Sequence, residues 1–196
     1  GVNDKDVMKY ALKTLEQQTQ PFIAEILTVT NHYPFDWDLP AVSYEDPAFN
    51  PIYNHYLRGI AFTDEALGKF WQQFQKSSLV NNTYVVIVAD HGLWIDKNAE
   101  AEANLYEMHH KQFHIPMLIF GPDITPGTND QLASQLDITP TLINLLQLPV
   151  EKHAFLGRDL LNQKTIANPF VITTGFNNIV TIDETTMCFP YIESAL

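Results

Sequence analysis

Residues 83–92 constrain the fold more than any other part of the chain, because an apolar run ends there in polar side chains. The run TYVVIVA is apolar on both faces, and Asp90, His91 and Gly92 follow it directly. Strands of this composition are typical of the centre of a parallel sheet, where layers of helices cover both faces. We therefore predict an α/β protein in which a buried strand ends at a carboxylate and an imidazole.

Apolar residues that recur at helical spacing indicate the helices. Residues 6–18 and residues 52–76 carry such stripes and are predicted to form amphipathic helices. Asp64 falls at a core-facing position of the second stripe, where an acid needs a hydrogen-bond partner or a nearby metal site. Thr139 followed by Pro140 predicts the start of a further helix, with Thr139 as its cap. Helices therefore separate the apolar runs along most of the chain.

Three further regions are predicted to contain strands. Residues 21–30 (PFIAEILTVT) and the run HIPMLIFG are predicted to be buried strands, and PFVITTG with NIVTID is predicted to form a hairpin. Because strands and helices alternate, we predict an α/β fold with a mainly parallel sheet flanked by helices and a small C-terminal β element. No linker or low-complexity tract interrupts residues 1–196, which predicts a single domain.

The charge of the chain limits its partners. The formal net charge is -12, whereas nucleic acids and anionic membrane surfaces require basic patches. We therefore predict no nucleic-acid partner, and an acidic chain can also help to hold cations. Cys188 is the single cysteine and excludes an internal disulfide. No apolar run reaches the length of a membrane span, so this chain itself is expected to be soluble.

Asp90 and His91 are the first candidates for chemistry. In a continuing strand their side chains would point to opposite faces, so a shared ion requires a turn, which Gly92 allows. A carboxylate beside an imidazole suits Zn²⁺, Mn²⁺ or a similar divalent ion. Two ligands do not complete a site, and the motif alone also fits a strand-end carboxylate that caps the next turn beside a partly buried histidine.

Further histidines extend this candidate site. His32 follows the first predicted strand, and sites in open α/β sheets gather beyond the carboxyl ends of strands, so His32 is expected at the same sheet edge as Asp90. The alternative is a loop histidine packed among aromatic side chains. The cluster formed by His109, His110 and His114 is compatible with metal binding, phosphate binding or a solvated loop.

Four stretches of the chain carry a family signature when they are taken together. They are PFIAEILTVTNHYPFD, then YLRGIAFTDEALGKFWQQFQKSSLVNNTYVVIVADHG, then HIPMLIFGP, and finally ASQLDITPTLINLLQLP with FLGRDLL. In this order they resemble the sulfatase-like branch of the alkaline phosphatase superfamily, and within it the lipoteichoic acid synthase and phosphoglycerol transferase group. The resemblance covers most of residues 7–161. It implies an alkaline phosphatase-like fold and a partial sulfatase-like catalytic domain.

The resemblance also implies roles for individual residues. Asp90 and His91 match the family's downstream metal ligands, and Mn²⁺ is the implied ion, with Zn²⁺ or Mg²⁺ as alternatives. His32 and His110 match positions that bind the substrate, although the other histidines of the cluster compete with His110 for that match. The implied substrate is a phospholipid head group or another phosphodiester. The implied location is extracytoplasmic, periplasmic or at the cell surface, in a parent protein anchored in the bacterial inner membrane.

The resemblance places the nucleophile outside this chain. In the family a Thr, Ser or modified Cys and an acidic ligand lie on the N-terminal half of the domain, so the chain alone is expected to be inactive. The sulfatase signature C-x-P-S-R is absent, and Cys188 is followed by Phe-Pro. The implied function is a metal-dependent phosphoryl transferase that includes the missing N-terminal half. A sulfatase or phosphodiesterase of the same fold and a non-catalytic metal-binding relative are the alternatives.

Overall fold

The computed structural model describes most of the chain, which divides into two compact units. Unit 1 is Gly1–Thr125 and unit 2 is Pro126–Leu196. The described residues are 2–93, 95, 112–150, 155–162, 170–175, 178–183 and 186–188. Both helices and strands occur, in agreement with the α/β prediction, whereas the prediction of a single domain over residues 1–196 stays a prediction.

Two helices form the frame of unit 1. Helix α1 (Asp4–Leu15) begins where the Asn3 side chain accepts a hydrogen bond from the Asp6 backbone N–H, which satisfies one of the unpaired donors at a helix start. Helix α2 (Pro51–Phe74) is capped in the same way by Asn50, with Pro in its first turn. Both predicted helices are confirmed, with slightly different ends. Every helix in the described part of the chain is too short or too polar to span a bilayer.

The core of unit 1 lies between these two helices. Its buried members are Met8, Leu12, Ala66, Phe70, Phe74 and Leu79. Full burial of a Leu, Met or Phe side chain contributes about 1.5–3 kcal/mol relative to exposure, so this cluster holds α1 against α2. Asp64 is exposed, so the prediction that it faces the core is wrong. Apolar residues lie on more than one face of α2, since Ile60 is exposed as well, and the stripe alone did not identify the buried face.

Unit 1 also contains a two-stranded antiparallel sheet. Strand β1 (Val85–Val88) pairs with strand β2 (Met117–Phe120), with Val88 opposite Met117. Both predicted strands are confirmed, but β1 is only partly buried. Every strand pair among the described residues is antiparallel, which corrects the prediction of a mainly parallel sheet for this part of the chain. The direction of a neighbouring strand depends on how the chain returns to the sheet, and the composition of β1 carries no such information.

Residues 21–30 do not form a regular strand. The segment is extended, but no strand of the described part of the chain pairs with it, and Ile23 and Leu27 are 87% and 68% exposed. Phe22 and Ile26 pack against the core from partly buried positions. The prediction of a buried strand is therefore wrong. The apolar run is long enough for a strand, but a strand also needs hydrogen-bonding neighbours, and here only one side of the segment is covered.

A buried carboxylate anchors the end of this extended segment. Asp4 is 0% exposed, and its Oδ1 accepts hydrogen bonds from the backbone N–H groups of Val29 (2.8 Å) and Thr30 (3.2 Å). Its Oδ2 accepts a hydrogen bond from the Thr63 hydroxyl (2.6 Å), and its backbone N–H donates to the Thr30 hydroxyl (3.1 Å). Asp4 therefore joins α1, the extended segment and α2 at one point. Hydrogen bonds to charged groups contribute about 1.5–3 kcal/mol each, so these contacts stabilise the arrangement.

Unit 2 combines a short helical region with a small antiparallel sheet. A 3₁₀ helix (Gln135–Asp137) leads into helix α3 (Ile138–Leu145). Strands β3 (Phe170–Gly175), β4 (Asn178–Asp183) and β5 (Met187–Cys188) form a three-stranded sheet in that order. The predicted hairpin is β3 with β4, so both the hairpin and the small C-terminal β element are confirmed.

The start of the helical region differs from the prediction. The Ser134 hydroxyl accepts a hydrogen bond from the Leu136 N–H (3.3 Å), and the Asp137 carboxylate accepts one from the Ser134 N–H (2.8 Å). This reciprocal arrangement is a capping box. Thr139 lies inside α3, so the prediction that Thr139 is the cap is wrong. Thr-Pro is a helix-start signal, but the helical region begins earlier in the chain. There the Ser134–Asp137 pair accepts hydrogen bonds from the backbone N–H groups that a helix start leaves unpaired.

Asp137 also joins the two motif stretches of unit 2. It is 2% exposed, and its Oδ1 accepts a hydrogen bond from the Arg158 N–H (2.6 Å), while the Arg158 guanidinium donates to the Leu132 carbonyl (2.6 Å). The Thr141 hydroxyl donates to the Asp137 carbonyl (2.6 Å) and accepts from the Leu160 N–H (3.0 Å). The stretches QLDITPTL and GRDLL therefore form one hydrogen-bonded group around a buried carboxylate.

Candidate functional site

The carboxyl end of β1 carries Asp90 and His91 on an exposed turn. Their side chains are 76% and 65% exposed, and Asp90 Oδ2 lies 3.6 Å from His91 Nε2. Asp90 Oδ1 accepts a hydrogen bond from the His91 backbone N–H (2.8 Å). The two side chains therefore approach one another, whereas a continuing strand would direct them to opposite faces.

The ring of His91 is arranged as a metal ligand would be. Its Nδ1 lies 2.8 Å from the Gly92 carbonyl oxygen, which favours the tautomer with the proton on Nδ1 and leaves a lone pair on Nε2. Histidine ligands commonly bind an ion through one nitrogen and donate the other N–H to a carbonyl. The gap between His91 Nε2 and Asp90 Oδ2 can accommodate an ion at a bond length of ~2.1 Å from each. The pair therefore fits a divalent ion.

The described residues supply this pair and no larger ligand set. Among them, no group of three or more His, Cys, Asp or Glu side chains could hold an ion. Zinc and the harder divalent ions take at least about four ligands, so the others would be water, substrate or residues beyond those described. The metal role of Asp90 and His91 stays a prediction, and their geometry supports it.

Backbone hydrogen bonds bring a further histidine to the same end of the sheet. The Ala89 N–H donates to the Pro116 carbonyl (3.4 Å), and the Gly92 N–H donates to the Gln112 carbonyl (2.7 Å). His114 lies between Gln112 and Pro116 in the chain and is exposed. It therefore lies at the sheet end that carries the candidate metal ligands.

His32 lies on an exposed turn that follows the extended segment. The His32 N–H donates to the Val29 carbonyl (3.1 Å), and the Phe35 N–H donates to the His32 carbonyl (3.1 Å). His32 Nδ1 lies 2.6 Å from the Tyr33 carbonyl oxygen, which again leaves a lone pair on Nε2. Phe35, and not His32, is the buried residue of this turn, and its ring packs against Tyr56. The alternative of a histidine packed among aromatic rings therefore does not describe His32.

Two parts of the predicted site stay predictions. His109 and His110 lie outside the described residues. The assignment of His110 to substrate binding therefore stays a prediction. His32 and Asp90 lie on different turns of unit 1, each after an extended stretch of chain, and their position in one cleft also stays a prediction.

An ion pair ties the loop after His32 to α2, and no sequence pattern indicated it. Arg58 Nε and Nη2 donate to the two carboxylate oxygens of Glu45 at 2.8 and 2.7 Å, and the Val42 N–H donates to Glu45 Oε1 at 2.7 Å. The hydrogen bond from Arg58, followed by that from Val42, lowers the pKa of Glu45 from 4.5 to about 2. The two partners lie on a loop and a helix without a shared periodicity, and the pair positions the loop.

The fold and the order of the motifs define the class of protein. A solved structure of a protein in the alkaline phosphatase superfamily from Vibrio parahaemolyticus is similar to this chain, with a TM-score of 0.69 and 26% identity, over 98% of this chain and 50% of that chain. The family model described as Sulfatase matches residues 1–148. The chain has the alkaline phosphatase superfamily fold and belongs to the sulfatase family.

The similar curated proteins include lipoteichoic acid synthases. A lipoteichoic acid synthase-like protein of Bacillus subtilis is 28% identical over 100% of this chain and 36% of its own length. Lipoteichoic acid synthase 1 of Bacillus subtilis is 28% identical over 83% of this chain and 27% of its own length. The lipoteichoic acid synthase of Staphylococcus aureus is 25% identical over 83% of this chain and 26% of its own length. The chain thus spans about a quarter to a third of these relatives, and the resemblance predicted from the motifs is confirmed.

Proposed function

We propose that the chain is part of a metal-dependent phosphoryl-transfer enzyme that moves phosphoglycerol or a related phosphodiester head group. The observation that carries the proposal is the exposed pair at the end of β1, with Asp90 Oδ2 and His91 Nε2 3.6 Å apart. Similarity to lipoteichoic acid synthases supports the substrate class. The nucleophile is proposed to be a residue outside 1–196, so no residue of this chain is assigned that role.

In this proposal Asp90 and His91 hold the ion. Mn²⁺ is the proposed ion, with Zn²⁺ and Mg²⁺ as alternatives, because carboxylates suit Mn²⁺ and Mg²⁺ whereas imidazole suits Zn²⁺. A bound ion acts as a Lewis acid that lowers the pKa of a nucleophile and neutralises charge on the transferred group. The Gly92 carbonyl, 2.8 Å from His91 Nδ1, keeps the ring in the orientation that presents Nε2.

His32 is proposed to bind the phosphoryl group or the departing head group. Its Nδ1 lies 2.6 Å from the Tyr33 carbonyl oxygen, so Nε2 is the ring atom that is left to contact a phosphate oxygen. A charged imidazole donates strong hydrogen bonds to phosphate oxygens. His110 is assigned a similar contact through the family resemblance alone.

The proposal includes the surroundings of the whole protein. The substrate would be a phospholipid head group or another phosphodiester, and the rest of the sulfatase domain would be the intramolecular partner. The location would be extracytoplasmic, periplasmic or at the cell surface, in a parent protein anchored in the bacterial inner membrane. Similarity to lipoteichoic acid synthases supports this setting.

The direct test uses the intact protein that contains this chain. Turnover of a generic aryl phosphodiester and of a glycerophospholipid is measured with Mn²⁺ and with a chelator, for the wild type and for Asp90→Asn and His91→Gln. We expect activity only with the ion, and a loss of about 100-fold or more in kcat/KM for each variant. Removal of a residue that only orients a metal ligand can already cost about that much, and removal of a ligand should cost at least as much. Asp64→Asn is the matched control, because Asp64 is an exposed aspartate of unit 1 on α2.

Each contrary outcome has a distinct meaning. Full metal-dependent activity of Asp90→Asn would remove Asp90 from the ligand set. Turnover by residues 1–196 alone would place the nucleophile within this chain. An intact protein that binds Mn²⁺ but turns over neither substrate would favour a non-catalytic metal-binding relative.

A sulfatase is the second candidate, because the matching family model is described as Sulfatase. The signature C-x-P-S-R does not occur in residues 1–196, so its nucleophile would also lie outside this chain. An aryl sulfate assayed beside the aryl phosphodiester separates the two functions. A higher kcat/KM for the sulfate ester would replace the phosphoryl-transfer proposal.

A further inference from the structure

Gly59 marks a close approach between helix α2 and the backbone that leads into His32. It is buried, and a Cβ at this position would lie 2.8 Å from Asn31 Oδ1 and 3.3 Å from the Thr30 carbonyl oxygen. A carbon atom at these distances forces one of the partners to move. The absence of a side chain at Gly59 is therefore what allows α2 to pack directly on Thr30 and Asn31.

The same helix contains a glycine without such a contact. Gly68 is exposed, and a Cβ there would meet nothing within 4 Å. Glycine is a poor residue in the interior of a helix because it loses more backbone entropy than any other residue on folding. A packing reason therefore exists at Gly59 and is missing at Gly68, which makes Gly68 a matched control.

The backbone that packs on Gly59 is held in place on its N-terminal side. Thr30 is 0% exposed, and its N–H donates to Asp4 Oδ1 (3.2 Å). Asn31 Oδ1 is buried, accepts no hydrogen bond within the described part of the chain, and lies beside the place that a Gly59 Cβ would occupy. A methyl group at position 59 would require the Asn31 side chain to move, and the Thr30 carbonyl oxygen, 3.3 Å away, would have to give by a few tenths of an ångström. This carbonyl belongs to the backbone that leads into His32.

The turn is held on its C-terminal side by the same helix. Phe35 is 3% exposed, and its ring centroid lies 5.6 Å from that of Tyr56. Its φ of 61° lies in the left-handed region, which is unfavourable for a bulky residue, so the buried ring has to maintain this conformation. Tyr56 and Gly59 share one face of α2 because they are separated by about one helical turn. His32 is therefore positioned between two contacts with α2.

We propose that Gly59 is a positioning residue, which sets the place of His32 by letting α2 pack directly on Thr30 and Asn31. Gly59 contacts no reacting group in this proposal and acts through the Asn31–His32 backbone. The consequence for substrate binding rests on the proposed function of His32, whereas the positioning itself is a property of unit 1.

The test uses the intact protein as wild type, Gly59→Ala and Gly68→Ala. The position of His32 is read from the NMR signal of its ring in histidine-labelled protein, assigned by the loss of that signal in His32→Gln. KM, kcat and Mn²⁺ affinity are measured with the aryl phosphodiester. We expect Gly59→Ala to shift the His32 signal and to raise KM about threefold or more, with Mn²⁺ affinity unchanged, because only the substrate contact moves. Gly68→Ala should leave all of these at wild-type values.

A double-mutant cycle tests the route through Asn31. Asn31→Ala removes the atom nearest to the added methyl group, so Gly59→Ala should shift the His32 signal less in the Asn31→Ala background than in the wild type. If Gly59→Ala is unfolded at the assay temperature, a folded double variant with a wild-type-like signal supports the proposal, and an unfolded one overturns it.

The failure of this proposal is distinct from the failure of the proposed function. An unchanged His32 signal in Gly59→Ala, or an equal shift in Gly68→Ala, overturns the positioning role. A shift that appears only in Gly59→Ala, in a protein that turns over no phosphodiester, upholds the positioning and overturns the proposed function.

Discussion

Asp4 and Asp90 are aspartates of the same unit in opposite surroundings. Asp4 is 0% exposed and accepts hydrogen bonds from the Val29 and Thr30 backbone and from the Thr63 hydroxyl. Asp90 has a side chain that is 76% exposed beside the ring of His91. A buried carboxylate has to find its donors within the protein because water does not reach it, whereas an exposed one can exchange water for an ion. The first kind holds the fold together, and the second can serve a ligand.

Asp137 shows that a family motif can supply the first kind. It is 2% exposed, and its carboxylate accepts hydrogen bonds from the N–H groups of Ser134 and Arg158. Asp137 belongs to the stretch QLDITPTL, which carried the family resemblance together with the stretch that contains Asp90. Membership in a motif therefore does not by itself make a carboxylate a ligand, because Asp137 is buried with its hydrogen bonds satisfied within the protein.

The largest effect on stability is expected for Asp4→Ala. The substitution leaves the buried Thr30 N–H and the partly buried Val29 N–H and Thr63 hydroxyl without their acceptor, so the free energy of unfolding should fall by about 3 kcal/mol. Urea unfolding of unit 1 within the intact protein, followed by a signal from Trp71 against a variant that lacks this tryptophan, measures the change.

The control for Asp4→Ala is Asp64→Ala, which changes an exposed aspartate of α2 and should alter the free energy of unfolding by less than about 0.5 kcal/mol. Equal effects of the two substitutions would contradict this prediction, because burial would then not identify the carboxylates that stabilise the fold.

Glu45 is less buried than Asp4 and less exposed than Asp90, and its ion pair makes the free energy of unfolding depend on pH. Its side chain is 14% exposed and pairs with Arg58 at 2.7 Å. Its folded pKa is about 2, against an ordinary value of 4.5, so the unfolded chain takes up a proton first as pH falls. Its contribution is complete above about pH 4.5 and is lost as pH falls towards 2. Glu65, whose pKa is lowered to about 2 by Lys5 and Lys69, acts in the same window.

The measurement is urea unfolding of the wild type, Glu45→Gln and Glu25→Gln between about pH 2 and pH 6. Glu45→Gln should be less stable than the wild type at the upper end, and the difference should disappear towards the lower end. Glu25→Gln changes an exposed glutamate of the extended segment and should differ from the wild type by the same small amount throughout. A Glu45→Gln difference that is constant with pH would mean that the ion pair with Arg58 does not persist in solution.

Short-range patterns were sufficient to predict α1, α2 and the hairpin. The apolar stripes of residues 6–18 and 52–76 overlap the helices that they predicted, and β3 and β4 are neighbours in the chain, so each element carries its own signal. The change of direction at Asp90 and His91 was also predictable in part, because the apolar run ends there and Gly92 allows the chain to turn.

The features that the sequence did not predict depend on contacts between residues that are far apart in the chain. The donors to Asp4 come from residues separated from it by 25, 26 and 59 positions, and no local pattern marks Asp4 as buried. Residues 21–30 have the composition of a buried strand, yet Ile23 is 87% exposed, because composition does not specify which neighbours cover a segment. The close packing at Gly59 was missed for the same reason, since it depends on the backbone of Thr30 and Asn31.

The smallest effect on stability is expected for Asp90→Ala in the absence of a divalent ion. Without a divalent ion, the free energy of unfolding should change by less than about 0.5 kcal/mol, because the Asp90 side chain is 76% exposed. With Mn²⁺ at about 100 times its Kd, the wild type should gain about 2.7 kcal/mol and Asp90→Ala should gain almost none, since a ligand stabilises only the state that binds it. The measurement is urea unfolding with Mn²⁺ and with a chelator, with Asp64→Ala as the variant that keeps the full gain. If Asp90→Ala destabilises the ion-free protein by about as much as Asp4→Ala does, then Asp90 belongs with the carboxylates that hold the fold together. If Asp90→Ala gains as much stability from Mn²⁺ as the wild type does, its role as a metal ligand is wrong.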